Sequence, residues 1–461
     1  MTHKKLRFVG RFALCTLLVF ASAAFAAQES RNVRLTGRWF SEEPPENSRD
    51  SRYNDVWGFE RDGEEYAVIG STNGTHIIHI PADNALREVA YIPGGAQGDF
   101  VIHRDYATYG DYLYAVCDQQ PSALQIIDLR NLPESAEVVF ASDAFFTTAH
   151  NVYADAETGK IYVSGTSIHA LTVLSPFNPD ADPQIEVLTN FDGVQYVHDV
   201  YARNDTAYLH AAFEGLFIFD FSTPQSPQLL GSLTEYPDQG YNHSGWLNAA
   251  GDVYVMTDET PGTRLKVLDV GNLPSIEVLG FLSSQGAPHT MAHNVVVEDD
   301  LAYVSYYFDG LQVFDIGNPA SPQRIAWYDT YTLDEEDYRG AWGVHKGLPS
   351  GRILISDRRS GLFVFHLEEG AVNNFDDLVL WPNPSPGDAI VQVRRDNFFK
   401  VEHRAFDARG RLVDEGTWRN TSDTFWFRVD LSGQKPGMYF IEVIIDEGTP
   451  KVLRYIKSGT P

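Results

Sequence analysis

Of 461 residues only two are cysteine, Cys15 and Cys117, and just one of these lies beyond residue 26. A chain so poor in cysteine has no disulfide framework and must be held by packing. Cys117 sits in the apolar run LYAVCD, where a buried packing thiol is expected rather than a nucleophile. Basic residues are also scarce: Lys and Arg total 35 against 63 Asp and Glu, for a formal charge of −28. With no basic patch to offset that field, nucleic acid is not expected as a partner. Beyond the N-terminus no stretch reaches the ~20 apolar residues of a membrane span, so no transmembrane segment is expected in the mature chain. Helical periodicity is almost missing. So are H-E-x-x-H, G-x-S-x-G, a Walker A loop and a helix-opening G-x-G-x-x-G. These gaps remove the enzymes recognised by linear motifs, but not active sites assembled from scattered residues. What the chain does have is 43% hydrophobic and 13% aromatic residues, enough for a well-packed core.

The first 26 residues have the three parts of a secretory signal: basic from Lys4 to Arg11, apolar from Phe12 to Phe20, and Ala24-Phe25-Ala26 as a cleavage site. The apolar run continues past Cys15, so no lipobox frames it. Residues 1–26 are therefore expected to direct export and be removed. Their four positive charges go with them, leaving the remainder near −32.

A histidine returns at nearly fixed intervals: His103, His150, His198, His243, His293 and His345, spaced 47, 48, 45, 50 and 52 residues apart. Asp55, 48 residues before His103, fits the same slot and makes seven units. Each unit continues with an apolar run, a polar turn, a second strand such as IYVSG or VYVMTD, and a third such as LFIFDF or LKVLDV. A proline-bearing corner (NLP, TPQSP, NPASP) and a fourth apolar segment follow. Four short strands per unit at this period describe a β-propeller blade. The seventh unit stops after LFVFHL, and NVRLTGRWF, residues 32–40, reads like the missing fourth segment. The expected fold is all-β: a seven-bladed β-propeller over residues 27–368 whose last blade is closed by residues 32–40, then a linker, 369–377, and a small Ig-like β-sandwich, 378–461.

LQIIDL, LFIFDF, LKVLDV and LQVFDI resemble the LVIVD repeat of bacterial surface propellers, while LTVLSP departs from it by lacking the aspartate. YNDVWGF, LQIIDLRNLP and WGVHKGLPSGRILISDRRSGLFVF resemble the exported group called choice-of-anchor B, over residues 32–366. That resemblance implies a seven-bladed propeller outside the cell and no general chemistry. WPNPSPGD, FDARGRLV, VDLSGQKPGMYFIEV and KVLRYIK resemble the type A sorting domain of the type IX secretion system, with Trp381 where tyrosine is common. The second resemblance implies a Bacteroidetes-type bacterium, the type IX machinery as partner of residues 378–461, and a product released or attached at the outer surface. A carbohydrate-binding sandwich is the alternative for this segment.

The repeated histidines are the candidate site. Each precedes the first strand of its unit, the strand that lines the channel of a propeller, so several imidazoles would converge on the axis. Neutral imidazole suits zinc, copper, nickel or iron, and three or four would hold one transition metal, with Asp55 adding a carboxylate. The residues that follow (Arg104, Asn151, Asp199, Ser244, Asn294, Lys346) would support the ring from outside. Against this, a residue recurring in every unit also reads as blade-junction architecture, and seven copies exceed a coordination shell. Asp118, Asp258 and Asp357, at the ends of second strands, would cap turns or line a pocket. Asp128, Asp220, Asp269 and Asp315 would bond turn backbone. The expected function is an exported cell-surface or secreted module that binds an extracellular ligand or surface polymer. A metal-dependent hydrolase or lyase using the channel histidines is the rival, and a structural surface-layer component the third reading.

Overall fold

The computed structural model describes residues 30–284, 289–331, 333, 338–368, 374–375, 378–381, 383–393, 399–419, 425–446 and 450–459. The signal segment, 1–26, lies outside the described residues, as does most of the linker 369–377. Among the described residues there is no helix, so none is long and apolar enough to cross a membrane.

Short runs rich in Val, Ile, Tyr and Phe, separated by polar turns and corners, pair with their nearest neighbours in sequence. The first sheet is typical: Tyr53–Arg61, Glu64–Ser71, Gly74–Ile80 and Arg87–Pro93 form an antiparallel meander. Up to residue 367 the described residues form seven such sheets. Their innermost strands are Tyr53–Arg61, Arg104–Tyr109, Asn151–Ala154, Val200–Arg203, Asn242–Leu247, Val295–Glu298 and Ala341–His345. Each innermost strand touches the next, and the seventh touches the first, so the sheets close into a ring. Middle strands lie between two neighbouring sheets and are buried along almost their whole length, as in EEYAVIGS and GTHIIHI. Outer strands such as QLLGSL are mostly exposed or half-buried.

Every outer strand carries a bulge against the third strand of its sheet, for example between Ile218 and Phe219 and between Val267 and Leu268. Bulges bend an edge away from other chains. In the seventh sheet the outer strand is Val33–Trp39, paired with Gly361–Leu367, and it carries the same bulge between Leu35 and Gly37. Gly37 fills the slot of Gly231 and Gly280. A Cβ at each would meet the following sheet's corner: Leu86 Cδ1 at 2.4 Å, Leu273 Cδ2 at 3.1 Å and the Pro319 carbonyl at 2.3 Å. Just before, Ser30–Arg31 adds a fifth strand to the sixth sheet by pairing with Trp327 and Tyr328. Asn32 turns the chain between the two sheets with φ of 53° and donates from Nδ2 to the Ile325 carbonyl at 2.6 Å.

The third-strand aspartates tie down their turns. Oδ1 of Asp128, Asp220, Asp269 and Asp315 accepts the backbone N–H two residues on, at 2.7–2.9 Å. Cys117 is buried against Ala96 and Val101, and burial raises its thiol pKa. Two further four-stranded sheets lie between Asn374 and Lys457 and share one apolar core that includes Leu378, Val391, Phe427, Val401, Ile441 and Leu453.

Candidate functional site

The N-terminal ends of the innermost strands converge at one mouth of the ring. His103, His150, His198, His243 and His293 each lie at, or within two residues of, the start of their strand. Their side chains form an arc of neighbouring imidazoles, with ring centroids 4.4, 4.0, 4.3 and 4.3 Å apart in that order. Trp342, from the seventh sheet, completes the circle, 4.1 Å from His293 and 5.5 Å from His103. Above them opens a cavity of ≈ 620 Å³, lined also by Asp118, Glu259 and Arg339. One level deeper, Asp55, Asp105, Asn151, Asp199, Ser244 and Asn294 line a smaller cavity of ≈ 60 Å³.

Much of the bonding between sheets falls to that deeper level. Asp105 accepts from the Val152 N–H at 2.7 Å and from Asn151 Nδ2 at 2.8 Å. Asn151 Oδ1 accepts from the Val200 N–H at 3.1 Å, and Ser244 Oγ donates to the His293 carbonyl at 3.0 Å. At the upper level, His293 Nδ1 lies 2.7 Å from the Trp342 carbonyl, which can only accept. Nδ1 therefore holds the proton, and Nε2 keeps its lone pair. His150 Nδ1 bonds Asp118 Oδ2 at 2.9 Å, and His198 Nδ1 bonds Asp199 Oδ1 at 2.9 Å. A carboxylate behind an imidazole is the arrangement that orients metal-binding histidines.

His243 is different. It is 1% exposed, and neither ring nitrogen has a hydrogen-bond partner. Its Nδ1 lies 3.9 Å from Asp199 Oδ2 and its Nε2 3.8 Å from Glu259 Oε2. Two sets of donor atoms meet here, each within 4.8 Å of one another: His150, His198, Asp199 and His243 form one, and His243, Glu259 and His293 the other.

Burial, with neighbouring imidazoles, holds His103, His198, His243 and His293 well below the ordinary histidine pKa, so these rings are neutral at pH 7. His150 is the exception: burial pulls it down, but Asp118 and then Asp199 bring it up to about 9. Asp118 falls to about 2 because the His150 charge outweighs burial. Burial raises Glu259, whose carboxylate accepts a hydrogen bond from the Tyr307 hydroxyl, and lifts Asp199 to about 7.

Residues 290–330 match the family model described as the LVIVD repeat, and residues 379–456 match the secretion system C-terminal sorting domain. The chain carries an LVIVD repeat and a secretion sorting tail. The matched repeat contains His293 and the whole four-stranded core of the sixth sheet. The tail marks type IX secretion, and with it a secreted or outer-surface protein that engages the secretion machinery. Among solved structures, one described as U3-55K has a TM-score of 0.52 at 11% identity, covering 74% of this chain and 99% of its own. A second, the WD40 repeats of RRP9, has a TM-score of 0.52 at 12% identity, covering 74% and 98%. At such identities the likeness concerns the fold, which is all-β and propeller-like. No curated protein matches the chain.

Two of the seven residues expected at the ring lie elsewhere. His345 is buried between the seventh and first sheets, its ring 4.8 Å from Trp57. The register shifts between Ala341 and Val344, which places Trp342 in the slot where the interval pointed to His345. Asp55 belongs to the deeper level, beside Asp105, and burial raises both carboxyl groups. Of the second-strand aspartates only Asp118 reaches the cavity. Asp258 is paired with the buried Lys266 Nζ at 2.5 Å, while Asp357 accepts the N–H groups of Arg359 and Ser360. Glu259, absent from the expected set, follows Asp258 directly. The residue after each of these aspartates faces the mouth: Gln119 and Glu259 line the cavity, and Arg358 stacks on Trp342 at 4.2 Å.

Proposed function

We propose that the LVIVD-type ring is an extracellular binding module that holds a transition-metal ion at its channel mouth and presents it to a ligand in the cavity above. His243 carries this reading. A buried imidazole without a hydrogen-bond partner costs about 1–3 kcal/mol per unsatisfied group, and a metal ion among these donors would satisfy it. The rings on either side of it, His198 and His293, are neutral imidazoles, the form a metal binds. Beside the histidine arc stand apolar faces: Phe213, 75% exposed, packs edge-on against Tyr241, whose ring meets His198. Aromatic faces beside a polar pocket suit the sugar rings of a surface polymer. In this reading residues 1–26 direct export and are removed, 27–368 form a seven-bladed module, 369–377 link it to the tail, and 378–461 serve secretion as an Ig-like sandwich.

The test is elemental analysis of the purified full-length protein after dialysis without added metal, followed by calorimetric titration with zinc(II). Retained or tightly titrated metal that is lost in His243→Ala supports the reading; a metal-free protein that binds no zinc overturns it. A hydrolase or lyase reading rests on Glu259, whose carboxylate, raised by burial, stands at the donor cluster as a general base would. Turnover of a polysaccharide or peptide substrate that depends on Glu259 would favour it.

A further inference from the structure

The two donor sets share one residue, and they meet it on opposite sides. Asp199 faces Nδ1 of His243 and Glu259 faces Nε2. We propose that His243 bridges two transition-metal ions as an imidazolate. One ion would be held by His150, His198, Asp199 and Nδ1 of His243, the other by Nε2 of His243, Glu259 and His293. The inference rests on the metal-binding reading above and deepens it.

The hydrogen-bond inventory of an imidazole decides between one ion and two. A neutral ring has one lone pair and one N–H. A single ion would take the lone pair and leave the N–H buried, with its facing carboxylate oxygen 3.8 or 3.9 Å away and so beyond hydrogen-bond reach. Two ions satisfy both nitrogens. Binding of the first ion displaces to solvent the extra proton that His150 carries at pH 7. On binding the second ion the His243 ring loses its remaining N–H proton to solvent, and that nitrogen's electron pair becomes the new metal bond.

Distances and charge agree with this. Metal–nitrogen and metal–oxygen bonds of about 2.0–2.2 Å in a tetrahedral site put neighbouring ligand atoms roughly 3.3–3.6 Å apart. The 3.9 and 3.8 Å separations at His243 lie a few tenths of an ångström outside that range, within side-chain adjustment. Two dications would be offset by Asp199, Glu259 and the imidazolate, with Asp118 behind His150 as a fourth negative group. The second ion has only three protein donors. It keeps a position open toward the ≈ 620 Å³ cavity, as sites that take an outside ligand do.

Copper(II) gives a readout that stoichiometry alone lacks, because an imidazolate bridge couples two copper spins antiferromagnetically. The full-length protein is loaded with copper(II), dialysed, and measured by elemental analysis and low-temperature electron paramagnetic resonance. The expected result is two coppers per chain with a spin count well below the copper content. Glu259→Gln keeps the shape of the side chain and is expected to retain one copper with a full spin count, its melting midpoint showing that the fold is intact. No bound copper overturns the metal reading and the bridge together. One copper with full spin count, or two with full spin count, leaves the metal reading standing and overturns the bridge.

Discussion

His293 and Trp342 join the sixth and seventh sheets at the channel mouth: imidazole Nδ1 is bonded to the Trp342 carbonyl at 2.7 Å, and the two rings lie 4.1 Å apart. Trp342 also carries the Arg358 guanidinium on its ring at 4.2 Å and is 5% exposed. It is a wall of the histidine circle and a support of the junction at once. Trp342→Ala is expected to lower unfolding free energy by about 3–5 kcal/mol, with Trp342→Phe losing clearly less. Urea denaturation of the two variants measures this, and equal stabilities would contradict the packing role.

The N-terminal strand is expected to govern the stability of the whole ring. A Cβ at Gly37 would come within 2.4 Å of Leu86 Cδ1, so the Leu86 side chain must move to admit one. Gly37→Val should destabilise by about 1–3 kcal/mol through overpacking. Removal of residues 30–39 should lower the melting midpoint far more, by exposing the edge of Gly361–Leu367. Calorimetry that found both midpoints unchanged would argue against closure by this strand.

Lys266 and Asp258 form an ion pair with both side chains 0% exposed. Asp258 also accepts from the Tyr236 hydroxyl at 3.0 Å and the Gly240 N–H at 3.0 Å. Lys266→Met leaves the carboxylate buried without its cation and is expected to cost about 3–5 kcal/mol. The double variant Lys266→Met with Asp258→Asn should recover part of that loss. A double-mutant cycle by chemical denaturation gives the coupling, and a value near zero would refute the pairing.

Burial, together with the charge of Lys346, holds His345 at a pKa of about 3, against an ordinary 6.5. At pH 7 the ring is neutral whether the chain is folded or not, and its full contribution is present. Below pH 6.5 the unfolded chain takes up a proton that the folded one refuses, so stability falls as pH drops toward 3. One such group changes unfolding free energy by up to about 1.4 kcal/mol per pH unit. His345→Gln should therefore flatten the stability profile between about pH 6 and about pH 4, relative to the parent, by roughly that slope. Superimposable profiles would show that His345 does not titrate on unfolding.

The sheets were legible because their grammar is local: β-branched runs, polar turns and proline corners specify strands without reference to the rest of the chain. The arc of five histidines was legible for the same reason, since it recurs at one place in each unit. The seventh position was not. An inner-strand bulge at Ala341–Val344 shifts the register, and a periodic count lands on His345 instead of Trp342. Asp55 misled in the same way, because the carboxylate level lies one step from the imidazole level and the first sheet supplies no histidine to the mouth. Glu259 has no repeated counterpart: its slot is Gln119 in one unit and Arg358 in another. Only the convergence of strand ends in space shows that these three unlike residues face the same mouth.

Thr36 bonds the carbonyl of Val364 across 328 positions of sequence, and the strand it belongs to completes the seventh sheet. That separation sets an order of events. Five sheets are contiguous in sequence and the sixth has a contiguous four-stranded core, but the seventh waits for Gly361–Leu367 to meet a strand made about 330 residues earlier. In a chain that leaves the cytoplasm with its N-terminus leading, the first strand would arrive without its partner, and the circle would shut only after Gly361–Leu367 had followed.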